Sequence, residues 1–530
     1  MLFNRDGDCL AAKLRLGNVH SADDWEELLL PEIERQQRLG KEVVFRADAA
    51  AAFAKPEISR SSRRPRGQQL RPSGRLQDKL ICVMLVAAAR PKRKFNIQFM
   101  ESRNPKRKYW QKGKLIMQRR TFLQTLLAGA GGVAVGARVA HAALPKMKIT
   151  RVRYYSPGTQ GRGGPPSLTS TANVICIDTD AGITGIGEGG TKDTLEHCAS
   201  ALIGQDPSRI DTLWQNMFRG AFYPAGLEKL HALGGLDIAL WDIKGKALGA
   251  PVYALLGGPT RDLCECYGGG GQGKATIREA ARASMEAGFK AFRTEVIGPG
   301  LSDTGTSSRG AKDWNPHQAV LATFKRCQEI REAVGEEGDF ICDFHAKLDM
   351  PDAITLASML EPLRPYFCED LVRNEALPLY RTIRERVKVP LATGNAGKVE
   401  LRELIEEQLI DYARVRLPNL GGTTEYMKIA SMCETHFAGL IPEGTGPIST
   451  AAEVHVAAAT NVPFLLQVGG PGTRPYLPQC YDFRQGKVYV NERPGLGVEF
   501  DPKQATQITE VTQPGNLGGM FRPDGSYTNW

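Results

Sequence analysis

Phe340-Ile-Cys-Asp-Phe-His-Ala-Lys347 opens with a short apolar run and closes on Asp343 and His345. It reads as a buried strand carrying polar chemistry at its C-terminal end. Two later stretches repeat the pattern: Tyr366-Phe-Cys ends in Glu369-Asp370, and Val389-Pro-Leu-Ala ends in Thr393-Gly-Asn395. Asp343, Glu369 and Asn395 are spaced by 26 residues each time. Helix-length amphipathic runs at 350–363 and 377–387 fill the intervals. Units of roughly 30 residues with chemistry at the strand ends are the grammar of a (β/α) barrel. Oxygen ligands on three successive strand ends make a hard-cation site, most simply Mg²⁺. A carboxylate just after a strand also serves as an ordinary helix N-cap; the equal spacing is what favours the metal.

Working outward, the alternation of strand and helix begins near residue 263 and runs to about 475. Before it, 146–262 reads as an α+β module. Lys148–Tyr154 and Thr171–Asp178 alternate as strands, Asp180–Glu188 is a turn and return strand, and helical patterns cover 194–202, 208–218 and 230–248. Gly249 is placed to stop the last helix. Residues 476–530 are read as a segment returning to this capping module. The fold class expected is therefore α/β: a (β/α)7–8 TIM-like barrel with an α+β cap, preceded by a disordered extension.

The net charge of +10 invites a nucleic-acid reading, but its distribution opposes one. Residues 58–120 hold 19 Lys/Arg against Asp78 and Glu101, a net +17, which leaves −7 for the remainder. No basic face for nucleic acid is expected on the folded part. The 11 cysteines form no CxxC pair; several sit in apolar runs, where a free thiol is a small core residue.

The first 142 residues read differently. Residues 1–57 resemble part of an insertion-sequence DDE transposase, on Asn4-Arg-Asp-Gly-Asp, Leu29-Leu-Pro-Glu-Ile-Glu-Arg-Gln-Gln and Val44-Phe-Arg-Ala-Asp48. The resemblance puts one catalytic carboxylate at Asp48, but no partner acids follow in a matching context, so a remnant is implied. Residues 58–116 are basic and Pro/Ser-rich without apolar periodicity, which predicts a disordered spacer. In 117–142, Met117-Gln-Arg-Arg-Thr-Phe-Leu-Gln, an apolar run and Ala140-His-Ala142 resemble a twin-arginine export signal. That implies a cleaved, exported protein starting near Met117 with no stable membrane insertion, or a cytoplasmic one if the upstream extension blocks export.

From residue 146 to the C-terminus the resemblance is to the enolase superfamily. It rests on Gly182-Ile-Thr-Gly-Ile-Gly-Glu188, Gly235-Leu-Asp-Ile-Ala-Leu-Trp-Asp-Ile-Lys-Gly-Lys246 and Pro251-Val-Tyr-Ala-Leu-Leu-Gly-Gly258. The mandelate racemase/muconate lactonizing branch is the most similar, and within it the acid-sugar dehydratases. Asp343-Phe-His-Ala-Lys347 resembles the Asp-x-His segment of galactonate and mannonate dehydratases, Gly446-Pro-Ile-Ser-Thr-Ala-Ala the galactonate type, and Leu404–Tyr412 the mannonate type. The resemblance implies a Mg²⁺-dependent lyase. It would take the proton α to a sugar acid's carboxylate and expel a β-hydroxyl as water, with Asp343, Glu369 and Asn395 as ligands.

Where Lys-x-Lys is usual on the second strand, this chain has Arg293-Thr-Glu295; Arg stays protonated, so Glu295 is the candidate base there. The usual Asp and His of the sixth and seventh strands are replaced by Arg416 and Glu443, and Gln467 stands for the usual Glu of the eighth. His345 is expected to share the cavity of Asp343, since residues two apart share a strand face, and to act as an acid. His231, His436 and His455 are read as helix histidines without a chemical role. The catalytic candidates are thus His345, Glu443, Glu295 and Arg293, with Arg416 and Lys347 as substrate contacts. The partner is a small sugar acid, and a homo-oligomer is expected. A hydroxy-acid racemase or epimerase, and a binder that has lost turnover, are the rival readings.

Overall fold

The computed structural model describes residues 2–3, 9–11, 96–101, 111–116, 144–157, 173–220, 226–268, 275–298, 314–373, 377–394, 397–444 and 446–528. Two compact units divide the chain, the second beginning at Ala140. In the first, Leu2–Phe3 pairs antiparallel with Cys9–Ala11, and Asn96–Glu101 with Gln111–Ile116. The second hairpin lies inside the stretch predicted to be a disordered spacer. Its sequence signal is the alternation Phe95, Ile97, Phe99, which the basic composition around it hides. Asp48 and the export-like segment 117–142 lie outside the described residues.

The second unit opens with a cap. Strands β1 (Ile149–Ser156), β2 (Val174–Thr179) and β3 (Thr184–Glu188) form an antiparallel meander. Helices α1 (Lys192–Ser200), α2 (Ile210–Arg219) and α3 (Leu227–Leu248) follow. β2 is buried along its whole length because its two faces serve two cores. Ile175 and Ile177 pack with the cap helices, through Leu195, Trp214 and Leu236. Val174 and Cys176 belong to the larger core that includes the barrel's outer wall. α3 ends where Gly249 takes a left-handed φ of 63°, a conformation glycine adopts without strain. Gly187 lets β3 cross α3 at contact distance: a Cβ there would stand 2.0 Å from the Gly235 carbonyl oxygen.

A short helix α4 (Val252–Leu255) leads into the barrel. Its eight parallel strands are β4 (Leu263–Gly268), β5 (Ala291–Glu295), β6 (Asp339–Asp343), β7 (Phe367–Glu369), β8 (Leu391–Thr393), β9 (Tyr412–Ala413), β10 (Gly439–Leu440) and β11 (Leu466–Gln467). Between them run α5 (Ile277–Glu286), α6 (Pro316–Val334), α7 (Met350–Leu360), α8 (Leu377–Arg386), α9 (Lys398–Glu406), α10 (Thr423–Thr435) and α11 (Pro447–Ala459). Each strand pairs with the next, a bridge from Leu440 to Phe464 carries β10 to the eighth strand, and β11 pairs back onto β4. Among the described residues the result is a closed barrel of eight strands and seven helices. Three more strands follow: β12 (Asp482–Arg484) and β13 (Lys487–Tyr489) form a hairpin on β4, and β14 (Thr506–Val511) returns to pair antiparallel with β1. No helix among the described residues is long and apolar enough to cross a membrane.

Tyr267, Ala291, Ile341, Phe367, Ala392, Ile441 and Leu465, one from almost every strand, fill the middle of the barrel as an apolar layer. Because side chains alternate along a strand, the residue two further on faces the interior again. That rule places Arg293, Asp343, Glu369, Glu443 and Gln467 in the next layer, at the C-terminal mouth.

Candidate active site

The layer above the apolar plug is polar, charged and largely buried. Asp343 and Glu369 are both about 1% exposed, held side by side by the register of β6 on β7, with Glu295 opposite Asp343 on β5. Oxygens of Asp343, Glu369 and Asp370 lie within 4.8 Å of one another, and so do ligand atoms of Glu295, Asp343 and His345. Glu369 Oε2 is buried with no hydrogen-bond partner among the described residues. A desolvated carboxylate oxygen with nothing to accept from is costly, and burial pushes the Glu369 carboxyl well above the usual range against the pull of Arg414. A cation beside Oε2 removes that cost. The donor set is all carboxylate oxygen, so the residues fit a hard divalent ion.

Around the carboxylates stands a ring of cations. Arg293 donates through Nη1 to Glu295 Oε1 at 3.0 Å and through Nη2 to Asp343. Lys347 donates to Glu295 Oε2 at 2.8 Å. Burial would raise Glu295, but His345, Lys347 and Arg293 together hold it down to about 2. On the far wall, Arg414 and Arg416 both grip Glu443, one through an ion pair at 2.9 Å. Burial again pushes upward, and the two guanidinium groups win, holding Glu443 at about 2. Gln467 Oε1 accepts from Arg414 at 2.8 Å.

His345 sits where the alternation rule does not reach. β6 ends at Asp343, and His345 occupies a turn with φ of 49°, so its placement comes from that turn and not from a shared strand face. Its backbone N–H donates to Asp343 Oδ1 at 2.7 Å. The ring's Nδ1 stands 3.7 Å from Glu295 Oε2 and 3.6 Å from Asp343 Oδ2, and its side chain is 61% exposed. Interaction with Glu295 raises its pKa against the effect of burial.

The structure brings Arg293, Glu295, Asp343, His345, Lys347 and Glu369 into one cluster, and Arg416 with Glu443 into a second. Asn395 lies outside the described residues. Reading from sequence passed over Arg414, which joins the clusters; it is two residues beyond Tyr412, so the same alternation could have found it. Asp370 was noted only as a neighbour, yet its carboxylate accepts from Thr393 Oγ1 at 2.7 Å and faces the same cluster. Two of the helix histidines also differ from a bland surface position. His455 is buried and its Nδ1 accepts from the Tyr253 N–H at 3.2 Å. His231, near the start of α3, feels the charge of Arg416 across the cap–barrel seam and is lowered to about 4, mainly by burial.

Residues 167–257 match the N-terminal domain family of mandelate racemase and muconate lactonizing enzyme, and residues 276–505 match the enolase C-terminal domain-like family. D-galactonate dehydratase of Ralstonia pickettii is 33% identical over 404 residues, covering 72% of this chain and 100% of the relative. The chain belongs to the enolase superfamily, in its mandelate racemase/muconate lactonizing branch. A second relative in this superfamily, D-mannonate dehydratase of Novosphingobium aromaticivorans, is 31% identical over 388 residues, or 67% of this chain and 95% of the relative. Among solved structures, a superfamily member from Salmonella Typhimurium superposes with a TM-score of 0.60 at 25% identity, over 69% of this chain and 100% of that one. An enolase from Pantoea ananatis, solved with bound D-gluconate and magnesium, gives 0.59 at 26% identity over 72% and 100%. The plugged barrel with its polar mouth under an α+β cap is thus an enolase-superfamily architecture.

Proposed function

We propose that this chain is a hydro-lyase that dehydrates a sugar acid, with Mg²⁺ held by Asp343, Glu369 and Asn395. The observation that carries the reading is the bare, buried Oε2 of Glu369 beside Asp343 and Asp370. Five carboxylates (Glu295, Asp343, Glu369, Asp370 and Glu443) face four permanent cations (Arg293, Lys347, Arg414 and Arg416), one negative charge in excess before His345 is counted. When bound, Mg²⁺ supplies neutralisation of the charge that builds on the substrate carboxylate as the α proton leaves. The names of the two dehydratase relatives and the gluconate in the Pantoea structure support the substrate class.

The chain's own groups divide the remaining work. His345, its pKa raised by Glu295 and Asp343 and its ring open to the mouth, is placed to give a proton to the departing β-hydroxyl. Both Glu295 and Glu443 are paired with cations, but Glu295 shares the cluster of Asp343 and His345 whereas Glu443 stands on the far wall, so the reading gives Glu295 the α proton. A base held near 2 is mismatched to neutral pH, which makes slow turnover the expectation. A racemase needs a free base on each face of the substrate, and here both candidate carboxylates, Glu295 and Glu443, are engaged by cations.

The test is incubation with Mg²⁺ and a panel of aldonic acids, following 2-keto acid formation and α-proton exchange in deuterium oxide. Glu295→Gln is expected to abolish exchange and Glu443→Gln to retain it. The reverse outcome moves the base to the seventh strand. No exchange and no product with any acid overturns the dehydratase reading.

A further inference from the structure

Arg414 follows β9, and its side chain is 1% exposed, the most deeply buried cation of the mouth. Its guanidinium reaches three strands at once. Nη2 lies 2.8 Å from Glu369 Oε1 and donates to Gln467 Oε1 at 2.8 Å. Nη1 lies 2.9 Å from Glu443 Oε2 and 3.9 Å from Asp370 Oδ2. Gln467 is itself set by the Tyr267 hydroxyl at 3.4 Å and the Gly444 N–H at 3.3 Å, both aimed at the same amide oxygen. The guanidinium therefore has little freedom, and neither does the carboxylate it meets. Of Glu369's two oxygens, Oε1 meets Arg414 and Oε2 has no hydrogen-bond partner among the described residues.

We infer that Arg414 is a positioning residue: it engages one oxygen of Glu369, so that the other is presented alone to the divalent cation, and it ties cation affinity to Glu443. This rests on the metal reading given above. A planar, forked guanidinium is required because a lysine ammonium is a point charge on a flexible stem and cannot hold three fixed oxygens. Groups that orient a ligand from behind typically change metal affinity by about 10–100-fold when lost.

Mn²⁺ serves as the probe, titrated into the full-length protein and read by the loss of its free paramagnetic signal, alongside a thermal melt. Arg414→Lys keeps the charge and removes the fork; it is expected to bind Mn²⁺ about 10–100-fold more weakly than wild type with a clear cooperative melt. Glu443→Gln leaves Glu369 and its arginine in place but frees the other end of the guanidinium. It is expected to weaken Mn²⁺ by a smaller factor, and it carries the test alone if Arg414→Lys fails to fold. Wild-type affinity, within about twofold, in every variant that folds overturns the role of Arg414 and leaves the metal site standing. Failure of the wild-type protein to bind Mn²⁺ removes the metal site and this inference with it.

Discussion

His345 owes its raised pKa to its neighbours. A left-handed turn swings it over two carboxylates, and their field keeps the imidazole protonated above its ordinary range. His345→Asn is expected to lower 2-keto acid formation by about 10²–10⁴-fold, and a variant that turns over at the wild-type rate contradicts the assignment. His455 has the opposite environment. Burial lowers it to about 4, and its Nδ1 already accepts a backbone N–H. Its folded pKa lies below the unfolded value, so the stability it contributes is present above pH 6.5 and is lost as pH falls towards 4. Its imidazole resonances are expected to show no titration between pH 8 and 5; a midpoint near the free-histidine value of about 6.5 refutes this. At this scale Asp343 and Glu369 were legible because strand ends betray themselves by spacing. Alternation from Tyr412 puts both Arg414 and Arg416 of Asp411-Tyr-Ala-Arg-Val-Arg416 on the inner face, but spacing alone does not say which of the two meets the metal side.

Helix α11 begins against the cap. Glu188, the last residue of β3, accepts the N–H groups of Ile448 and Ser449 at 3.0 and 2.8 Å, where the helix leaves its first donors unmet. Burial is complete, and it raises Glu188 to about 7 in spite of those bonds. The folded protein therefore holds this proton more tightly than the unfolded chain does. The stability it contributes is present below about pH 4.5 and is lost as pH rises through 7. Glu188→Gln removes the dependence. Relative to wild type, the variant is expected to be more stable at pH 8 than at pH 5 by an amount on the order of 3 kcal/mol. Urea unfolding at both pH values checks this, and an equal difference at each would contradict it. The longer elements were plain from periodicity, since α3 and α6 span many turns. β9, β10 and β11 have two residues each, too few to show a period, and were inferable only from their place in the repeat.

The barrel could be read from the equal spacing of Asp343, Glu369 and Asn395 at successive strand ends, although the unit before them, from Glu295 to Asp343, is longer. The partition of charge was legible too: the basic excess belongs to residues 58–120, not to the enzyme-like half. What no local pattern shows is which distant segments meet. The first strand of that half and its last, β1 and β14, are neighbours running in opposite directions, with Val511 beside Val152 and Thr506 beside Ser156. Both ends of the half therefore leave one sheet at the same edge. Tension applied at Lys146 and Asp524 loads those bonds in series, one after another, as a zip is loaded, and not in parallel. The cap is expected to peel at low force while the closed ring of eight strands, with no free edge to start from, holds. An optical-trap trace is expected to show an early, shallow release followed by a separate high-force opening. A single rupture at high force would mean that the cap and barrel share the load.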